Sequence, residues 1–134
     1  MPTSSLLYNR VKMELRFDAS DLLAHLERAS VSDFDEAPFG IVQMFPDGVV
    51  SGYNTFESRL SGLSPGTVKG RNFFVDVAPC TNNYMVAQKF EDSPELDETV
   101  DYVFTFRMRP MRVQLRLMKS AAAGHQYLLV TPKA

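Results

Sequence analysis

The residues best suited to chemistry lie in one stretch, residues 53–81. Tyr53, Glu57 and Ser61 follow one another at intervals of four residues, which places a phenol, a carboxyl and a hydroxyl on one side of a helix if this segment is helical. Such side chains need hydrogen-bond partners when they face the interior. The only cysteine, Cys80, follows in the run DVAPCT. The combination suits a buried polar or anionic ligand that a nearby thiol could hold covalently.

Each of these residues also has an ordinary explanation. A lone cysteine is often a small core residue, and a glutamate on a helix is often solvated. The spacing between Tyr53 and Glu57 argues against a solvated carboxyl, because both side chains would project to the same side. Burial raises the pKa of a carboxyl, so an inward-facing Glu57 would be neutral and able to donate a hydrogen bond to an anionic oxygen.

The stretch resembles the photoactive yellow protein family, the small bacterial blue-light receptors of the PAS superfamily. The matching residues are Phe39-Gly40, Gln43, Tyr53-Asn54, Glu57, Ser61-Gly62, Pro65, Gly70, Asn72 to Phe74, Asp76 to Thr81, Lys89-Phe90, Phe104, Met108, Pro110 and Val113. The likeness covers residues 13–132 and is weakest at the N-terminal end. The combination of Tyr53, Glu57 and the VAPCT run is much more specific than a PAS resemblance alone.

The resemblance implies that Cys80 carries p-coumaric acid (4-hydroxycinnamic acid) as a thioester. It also implies that Tyr53 and Glu57 bind the phenolate oxygen and that the hydroxyl of Ser61 supports the tyrosine. A thioester requires an accessible thiolate, and Pro79 fixes the backbone immediately before it. The remaining residues expected to contact the chromophore, several of which could equally be ordinary core residues, are Leu63, Phe73, Val77, Ala78, Pro79, Thr81, Phe104, Phe106 and Met108.

Two positions depart from the family pattern. The best-known member has an arginine where this chain has Leu63, so solvent access and photocycle rate are expected to differ. Phe106 occupies a position that is tyrosine in some relatives, and the missing hydroxyl is expected to tune the colour.

The resemblance implies a blue-light receptor in which light isomerises the chromophore, Glu57 gives up its proton and a signalling state forms, without enzymatic turnover. One rival is an enzyme that uses Cys80 as a nucleophile, such as an acyl transferase or thioesterase. It would need a base within reach, and no motif places His25 or His125 there. The other rival is a light-inactive PAS module for ligand binding or protein interaction.

Composition limits the partners. The chain has 134 residues, 45% of them hydrophobic, and a formal charge of −2; its pI of about 5.6 offers no nucleic-acid footprint. A single cysteine points to a reducing, cytoplasmic setting. We expect one domain, no metal, no nucleic acid, no membrane, and a monomer or weak dimer. The expected partner is a downstream signalling protein that the sequence does not identify. The arginines at 107, 109, 112 and 116 are interpreted as a solvated or partner-covered sheet face.

The order of elements predicts an α+β fold of the PAS type, with a five-stranded antiparallel sheet flanked by short helices. Residues 1–12 are interpreted as an extension for which disorder stays open, 13–36 as an N-terminal cap and 37–134 as the PAS core. The predicted strands are residues 39–45, 49–53, 102–108, 113–117 and 125–131. Turns are predicted at Pro46 to Gly48 and at Pro110-Met111. The predicted helices are residues 20–29, capped by Ser20 or Asp18, then 54–60, and one that begins at Asn82 or Asn83 and ends at Phe90.

The charges of the predicted cap, residues 13–36, indicate how it attaches to the sheet. Seven acidic residues lie in residues 13–36 against two arginines. In the family this segment covers the sheet face away from the chromophore, where Arg112 and Arg116 are predicted to lie. We therefore expect weak, salt-sensitive docking between an acidic cap and a basic face.

Overall fold

The fold is built on one antiparallel sheet, and the computed structural model describes residues 14–106 and 108–133. The strands are β1 (Gly40–Met44), β2 (Val50–Tyr53), β3 (Leu96–Phe106), β4 (Arg109–Lys119) and β5 (Gln126–Pro132). Their order in the sheet is β2-β1-β5-β4-β3. This confirms the predicted α+β fold. The predicted extension, residues 1–12, lies outside the described residues, as does Met13, and the boundary between cap and core stays a prediction.

The central strands β1 and β5 are buried on both faces, whereas β3 at the edge of the sheet has one exposed face. Successive side chains of a strand point to opposite faces of the sheet. The main core comprises, among others, Val42, Met44, Tyr53, Phe73, Ala78, Phe104, Leu115, Leu117, Leu128 and Val130. The cap core, on the other face, comprises Leu15, Leu22, Leu26, Phe34, Ala37, Phe39, Ile41, Met118, Tyr127 and Leu129. Neighbouring residues of β5 therefore contribute to different cores.

Two short helices cover the cap-core face. They are α1 (Leu22–Arg28) and α2 (Val31–Glu36). Helix α1 begins after Asp21, whose side chain makes no capping bond, so the predicted caps at Ser20 or Asp18 are wrong. Helix α2 has no counterpart among the elements predicted from the sequence. It begins with a capping box, in which Ser30 accepts a hydrogen bond from the Asp33 N–H and Asp33 accepts one from the Ser30 N–H.

Arg116 attaches the preceding segment to the sheet. Its Nη1 donates to the carbonyl oxygens of Phe17 and Ala19 at 2.8 and 2.7 Å, and its Nε and Nη2 each donate to the Asp97 carboxylate at 2.9 Å. The hydrogen bonds to Asp97 raise the pKa of Arg116, and Asp18 adds a smaller, longer-range attraction in the same direction. The predicted charge pairing thus takes a different form, since the carboxylate bound to Arg116 comes from β3 and the cap contributes backbone oxygens.

Glu27 on α1 makes a second attachment to the sheet. Its carboxylate accepts hydrogen bonds from the Gly124 N–H at 2.9 Å and from the Tyr127 hydroxyl at 2.5 Å. The Nδ1 atom of His125 lies 2.9 Å from the same carboxylate, and Gln43 donates to the Tyr127 hydroxyl at 2.9 Å. This cluster joins the cap to β1 and β5.

Short helices and turns cover the main-core face between β2 and β3. They are α3 (Thr55–Ser61), α4 (Pro65–Val68), a π-helical turn (Phe73–Val77), a 3₁₀ turn (Pro79–Thr81) and α5 (Ala87–Asp92). The predicted helix 54–60 corresponds to α3. Helix α5 begins later than predicted, because Asn83 accepts hydrogen bonds from the N–H groups of Met85 and Val86 and starts a turn instead. No helix in the described residues is long and apolar enough to cross a membrane.

The hairpin between β3 and β4 differs from the prediction. Phe106 pairs with Arg109, so the turn lies before Pro110 rather than at it. Met108, predicted to continue the aromatic face of β3, has a φ of 62° and is 91% exposed at the hairpin tip. Pro110 pairs with Thr105 in a part of β4 that β5 does not reach. A proline is tolerated there, because no second strand needs its missing N–H.

Candidate functional site

Helix α3 positions the polar stripe, and Asn54 fixes where α3 begins. The Asn54 Oδ1 accepts hydrogen bonds from the Glu57 N–H at 3.1 Å and from the Ile41 N–H at 2.9 Å. Its Nδ2 donates to the carbonyl oxygens of Phe34 and Phe39 at 2.8 and 2.9 Å. One buried asparagine therefore joins α3 to β1 and α2, which gives the stripe a rigid base.

Tyr53 and Ser61 meet at the C-terminal end of α3, although Tyr53 is the last residue of β2 and not part of a helix with Glu57 and Ser61. The Tyr53 hydroxyl donates to Ser61 Oγ at 2.8 Å, and the Leu63 N–H donates to the same oxygen at 3.1 Å. Both side chains are buried. Burial raises the pKa of Tyr53, and the neighbouring Glu57 carboxyl raises it further. The phenol therefore stays protonated and can act as a hydrogen-bond donor.

Glu57 is the unusual residue of the site. Its side chain is 0% exposed, and neither carboxyl oxygen has a hydrogen-bond partner among the described residues. Burial raises the pKa of Glu57 to about 8, and the nearby Tyr53 phenol offsets part of this effect. The carboxyl is therefore mostly protonated at neutral pH. A buried polar group without a partner is costly and uncommon in folded proteins, so this carboxyl needs a functional explanation.

Gly40 on β1 makes room for the carboxyl. A Cβ atom at position 40 would lie 2.0 Å from Glu57 Oε1 and 3.1 Å from the Glu57 carboxyl carbon. Only glycine allows the strand to approach the carboxyl this closely. The sequence analysis matched Gly40 to the family without assigning it this role.

Cys80 lies in the 3₁₀ turn and is partly buried against the main core. Thr81 closes the turn, because its N–H and its hydroxyl both bond the Ala78 carbonyl oxygen, at 2.9 and 2.7 Å. The Cys80 carbonyl oxygen accepts hydrogen bonds from the Tyr102 hydroxyl at 2.5 Å and from Asn83 Nδ2 at 3.1 Å. Neither contact could be predicted from the sequence, because an alternating strand such as β3 does not indicate which hydroxyl bonds a distant backbone group.

Most of the predicted site residues surround the main core. Tyr53, Phe73, Ala78 and Phe104 are part of it, and Leu63, Val77, Cys80 and Phe106 are partly buried against it. The rings of Phe104 and Phe106 pack edge to face with centroids 5.2 Å apart. Pro79 is exposed and Thr81 is buried in the turn. Met108 stands apart from this group at the hairpin tip, so its place among the ligand contacts stays a prediction without support from the packing.

A cleft of about 360 Å³ opens beside Ser61, between α3 and the β3–β4 hairpin. Arg59 and Arg109 line it together with Phe106 and Met111. Two arginines therefore lie in the cleft beside Ser61.

The two histidines lie elsewhere. His25 Nε2 is 3.1 Å from the Asp21 carboxylate, and His125 contacts Glu27 on the cap-core side. In the described part of the chain, no three His, Cys, Asp or Glu side chains are grouped as a metal site would require. The structure therefore provides Cys80 with no histidine base.

Comparison with known proteins identifies the family. No protein-family model matches the chain. The chain is 32% identical over 116 residues to the photoactive yellow protein of Rhodothalassium salexigens, which covers 84% of this chain and 92% of that protein. It is 30% identical over 119 residues to the photoactive yellow protein of Halochromatium salexigens, which covers 87% of this chain and 95% of that protein.

Solved structures give the same result. The photoactive yellow protein domain of the sensor histidine kinase Ppr from Rhodospirillum centenum superposes with a TM-score of 0.75 at 39% identity, over 81% of this chain and 98% of that domain. The PAS domain of an HTR-like protein from Haloarcula marismortui, at 15% identity and a TM-score of 0.62 over 86% of this chain and all of that one, shares the fold alone. This chain belongs to the photoactive yellow protein family.

Proposed function

We propose that this chain is a blue-light photoreceptor that binds p-coumaric acid (4-hydroxycinnamic acid) as a thioester on Cys80. The observation that carries the proposal is the Glu57 carboxyl, which is fully buried and whose two oxygens have no hydrogen-bond partner in the described part of the chain. A phenol or phenolate oxygen is a suitable partner, because a neutral carboxyl can donate to it. The family membership supports the same ligand class.

The residues present fit this ligand. Tyr53 and Glu57 would hold its phenolic oxygen, and Phe104 and Phe106 offer ring faces and edges to an aromatic acid. Cys80 would form the thioester by attack of its thiolate on an activated carboxyl of the acid, with departure of the activating group. When bound, the chromophore supplies absorption of blue light and a double bond that isomerises from trans to cis.

Glu57 is proposed as the proton store of the site. With its pKa at about 8, its carboxyl holds a proton at neutral pH. Release of that proton in the light would leave a carboxylate in the main core without an ion-pair partner. An unpaired buried charge costs on the order of several kcal/mol, against a total domain stability of about 5–15 kcal/mol. The fold would have to relax in response.

The cap is the element proposed to respond. The cap is held by the apolar contacts of the cap core and by hydrogen bonds from Arg116, Glu27 and Asn54. Its helices are only six and seven residues long, and elements with low local stability open first. Release of the cap would expose the apolar sheet face around Ile41 and Leu129 to a downstream signalling protein. One relative is a domain of a sensor histidine kinase, and a partner of this signalling type is proposed here.

Reconstitution tests the proposal. The purified chain is incubated with an activated ester of p-coumaric acid, and the intact mass, a peptide map and the visible spectrum are recorded, with Cys80→Ala as the control. We expect one acyl group on Cys80, blue-light absorption that bleaches and recovers, and no covalent adduct on the variant. An adduct without a light response would instead favour a light-inactive PAS ligand-binding or interaction module. Continuous release of the free acid would favour an enzyme.

A further inference from the structure

The backbone carbonyl of Cys80 is held by side chains from two different elements. Tyr102 on β3 donates its hydroxyl hydrogen to the Cys80 oxygen at 2.5 Å. Asn83, between the 3₁₀ turn and α5, donates one Nδ2 hydrogen to the same oxygen at 3.1 Å and the other to the Tyr102 hydroxyl at 2.7 Å. The three groups form a closed triangle of hydrogen bonds around one peptide oxygen.

Both donors are themselves fixed. Asn83 Oδ1 accepts hydrogen bonds from the N–H groups of Met85 and Val86 at 2.9 and 3.2 Å. The Tyr102 ring packs edge to face on Phe104, with centroids 6.0 Å apart. The triangle is thus supported by the main core on one side and by the turn before α5 on the other. Donors held in this way position an acceptor more precisely than mobile side chains do.

The triangle acts on the residue that carries the sole thiol. The neighbouring carbonyls of Ala78 and Pro79 accept hydrogen bonds from the N–H groups of Thr81 and Asn82. The N–H of Cys80 is the first donor of the 3₁₀ turn, since Pro79 has none, and first-turn donors have no acceptor within their own helix. The Cys80 N–H shares its peptide plane with the Pro79 carbonyl, which Asn82 holds, and the triangle holds the next peptide plane through the Cys80 carbonyl. The two planes together fix the backbone of Cys80, and with it the relative directions of its N–H and of its side chain, which packs against the main core.

We propose that Tyr102 and Asn83 are positioning residues for Cys80, which hold its thiol and its N–H in the orientation that acyl attachment and the bound thioester require. The inference rests on the proposed function and deepens it, because it assigns two residues to the attachment step that the sequence analysis did not place in the site. A purely structural role would tie the turn to β3 without affecting the chemistry at sulfur.

Two variants remove the triangle with little other change. Tyr102→Phe keeps the ring on Phe104 and removes only the hydroxyl. Asn83→Asp keeps the oxygen that bonds Met85 and Val86 and removes the Nδ2 donor. Tyr84→Phe, at a tyrosine that is 79% exposed, and Asn82→Asp, at the exposed neighbouring asparagine, make the same chemical changes outside the triangle.

The first readout needs no chromophore. The chain has one cysteine, so labelling with carbonyl-¹³C cysteine yields one carbonyl resonance that reports the hydrogen bonds to Cys80. Tyr102→Phe and Asn83→Asp should each move this resonance towards the value of a weakly bonded carbonyl. The two control variants should leave it unchanged. A resonance that neither triangle variant moves would overturn the proposal.

The second readout is the rate at which activated p-coumaric acid acylates Cys80, followed by intact mass. Loss of one hydrogen bond should slow acylation about two- to tenfold in each triangle variant, with unchanged rates in the controls. Triangle variants that shift the resonance but acylate like the controls would overturn the positioning role and leave the photoreceptor proposal intact. A parent chain that takes up no acyl group would instead overturn the proposed function, and with it any role of the triangle in attachment.

Discussion

Two tyrosine–glutamate pairs lie on opposite faces of the sheet and differ in what surrounds the carboxyl. In the main core, Tyr53 donates its hydrogen bond to Ser61, and neither oxygen of Glu57 has a hydrogen-bond partner among residues 14–106 and 108–133. Under the cap, Tyr127 donates directly to Glu27. The two pairs have the same side chains and opposite hydrogen-bonding states.

The pKa values of Glu57 and Glu27 depend on the hydrogen-bond donors around each carboxyl and not on burial alone. Burial raises the pKa of both carboxyls, and for Glu57 it dominates, at about 8. For Glu27 the hydrogen bonds from Tyr127, His125 and Gly124 outweigh burial, so its pKa is lowered. A tyrosine–glutamate pair can therefore be a proton store or an ionised anchor, depending on where the tyrosine directs its hydroxyl.

The largest expected effect is on how stability depends on pH. Folding raises the pKa of Glu57 from 4.5 to about 8, so the folded chain binds more protons than the unfolded chain in that window. The free energy of unfolding should fall as pH rises through it, by up to about 1.4 kcal/mol per pH unit. Glu57→Gln cannot titrate and should remove this slope. Urea unfolding of the chromophore-free chain and of Glu57→Gln at several pH values measures how the free energy of unfolding depends on pH.

The matched control for that slope is Glu91→Gln, at an exposed glutamate on α5. This variant should keep the slope of the parent. If Glu57→Gln also kept it, the carboxyl in the main core would not be the proton store, and the contrast with Glu27 would fail.

The second prediction concerns the space around the proton store. Gly40→Ala would place a methyl group 2.0 Å from Glu57 Oε1, so the carboxyl or the strand must move. Overpacking of this kind costs about 1–3 kcal/mol. Gly66→Ala, where nothing lies within 4 Å, should cost nothing measurable. Thermal unfolding of both variants measures these costs. If Gly40→Ala were as stable as Gly66→Ala, the Glu57 carboxyl would be free to shift away from the added methyl group.

The third prediction tests the ionised anchor, Glu27, through its hydrogen bond with Tyr127. Tyr127→Phe removes the hydroxyl that bonds Glu27 and Gln43 and should cost about 0.5–1.5 kcal/mol at neutral pH. Because the pKa of Glu27 is lowered in the folded chain, its contribution is present above the unfolded pKa and lost as pH falls through the folded value. The cost should therefore shrink in acid. Tyr84→Phe is the control, and a cost that is independent of pH would exclude Glu27 as its source.

The sequence predicts the main-core pair better than the anchor, for a physical reason. Glu57 and Ser61 lie four residues apart on α3, and Tyr53 ends β2 two residues before that helix begins, so closeness in sequence brings the three side chains together. Glu27 and Tyr127 meet across 100 residues, and no local pattern records which α1 side chain reaches β5. The contact between Tyr102 and the Cys80 carbonyl likewise depends on tertiary packing across 22 residues.

The errors in the predicted elements also have local causes. The turn before β4 contains neither glycine nor proline, so no turn signal marks it. The turn was predicted at Pro110 because proline favours turns, but Pro110 lies inside β4. Helix α2 is short, and its acidic residues resemble a solvated linker. The alternating apolar pattern located β3 from Tyr102 onwards, because only one face of this strand packs on the main core. The pattern did not extend to the first six residues of β3, Leu96 to Asp101, which are mostly polar.

The smallest expected effect is that of salt on the amide exchange of the cap. This measurement tells whether exposed charges or buried hydrogen bonds hold the cap on the sheet. Arg116 is 7% exposed and binds carbonyl oxygens of residues 17 and 19. Salt screens exposed ion pairs, each worth about 0–1 kcal/mol, far more than partly buried contacts. Amide exchange of residues 14–36 in the dark should therefore change little between low and high salt. Arg116→Gln should raise it at both, while Arg112→Gln, at an exposed residue of the same strand, should not. Release of the cap by salt alone, to the extent seen in Arg116→Gln, would show that surface charge holds it and that the anchors on this face are secondary.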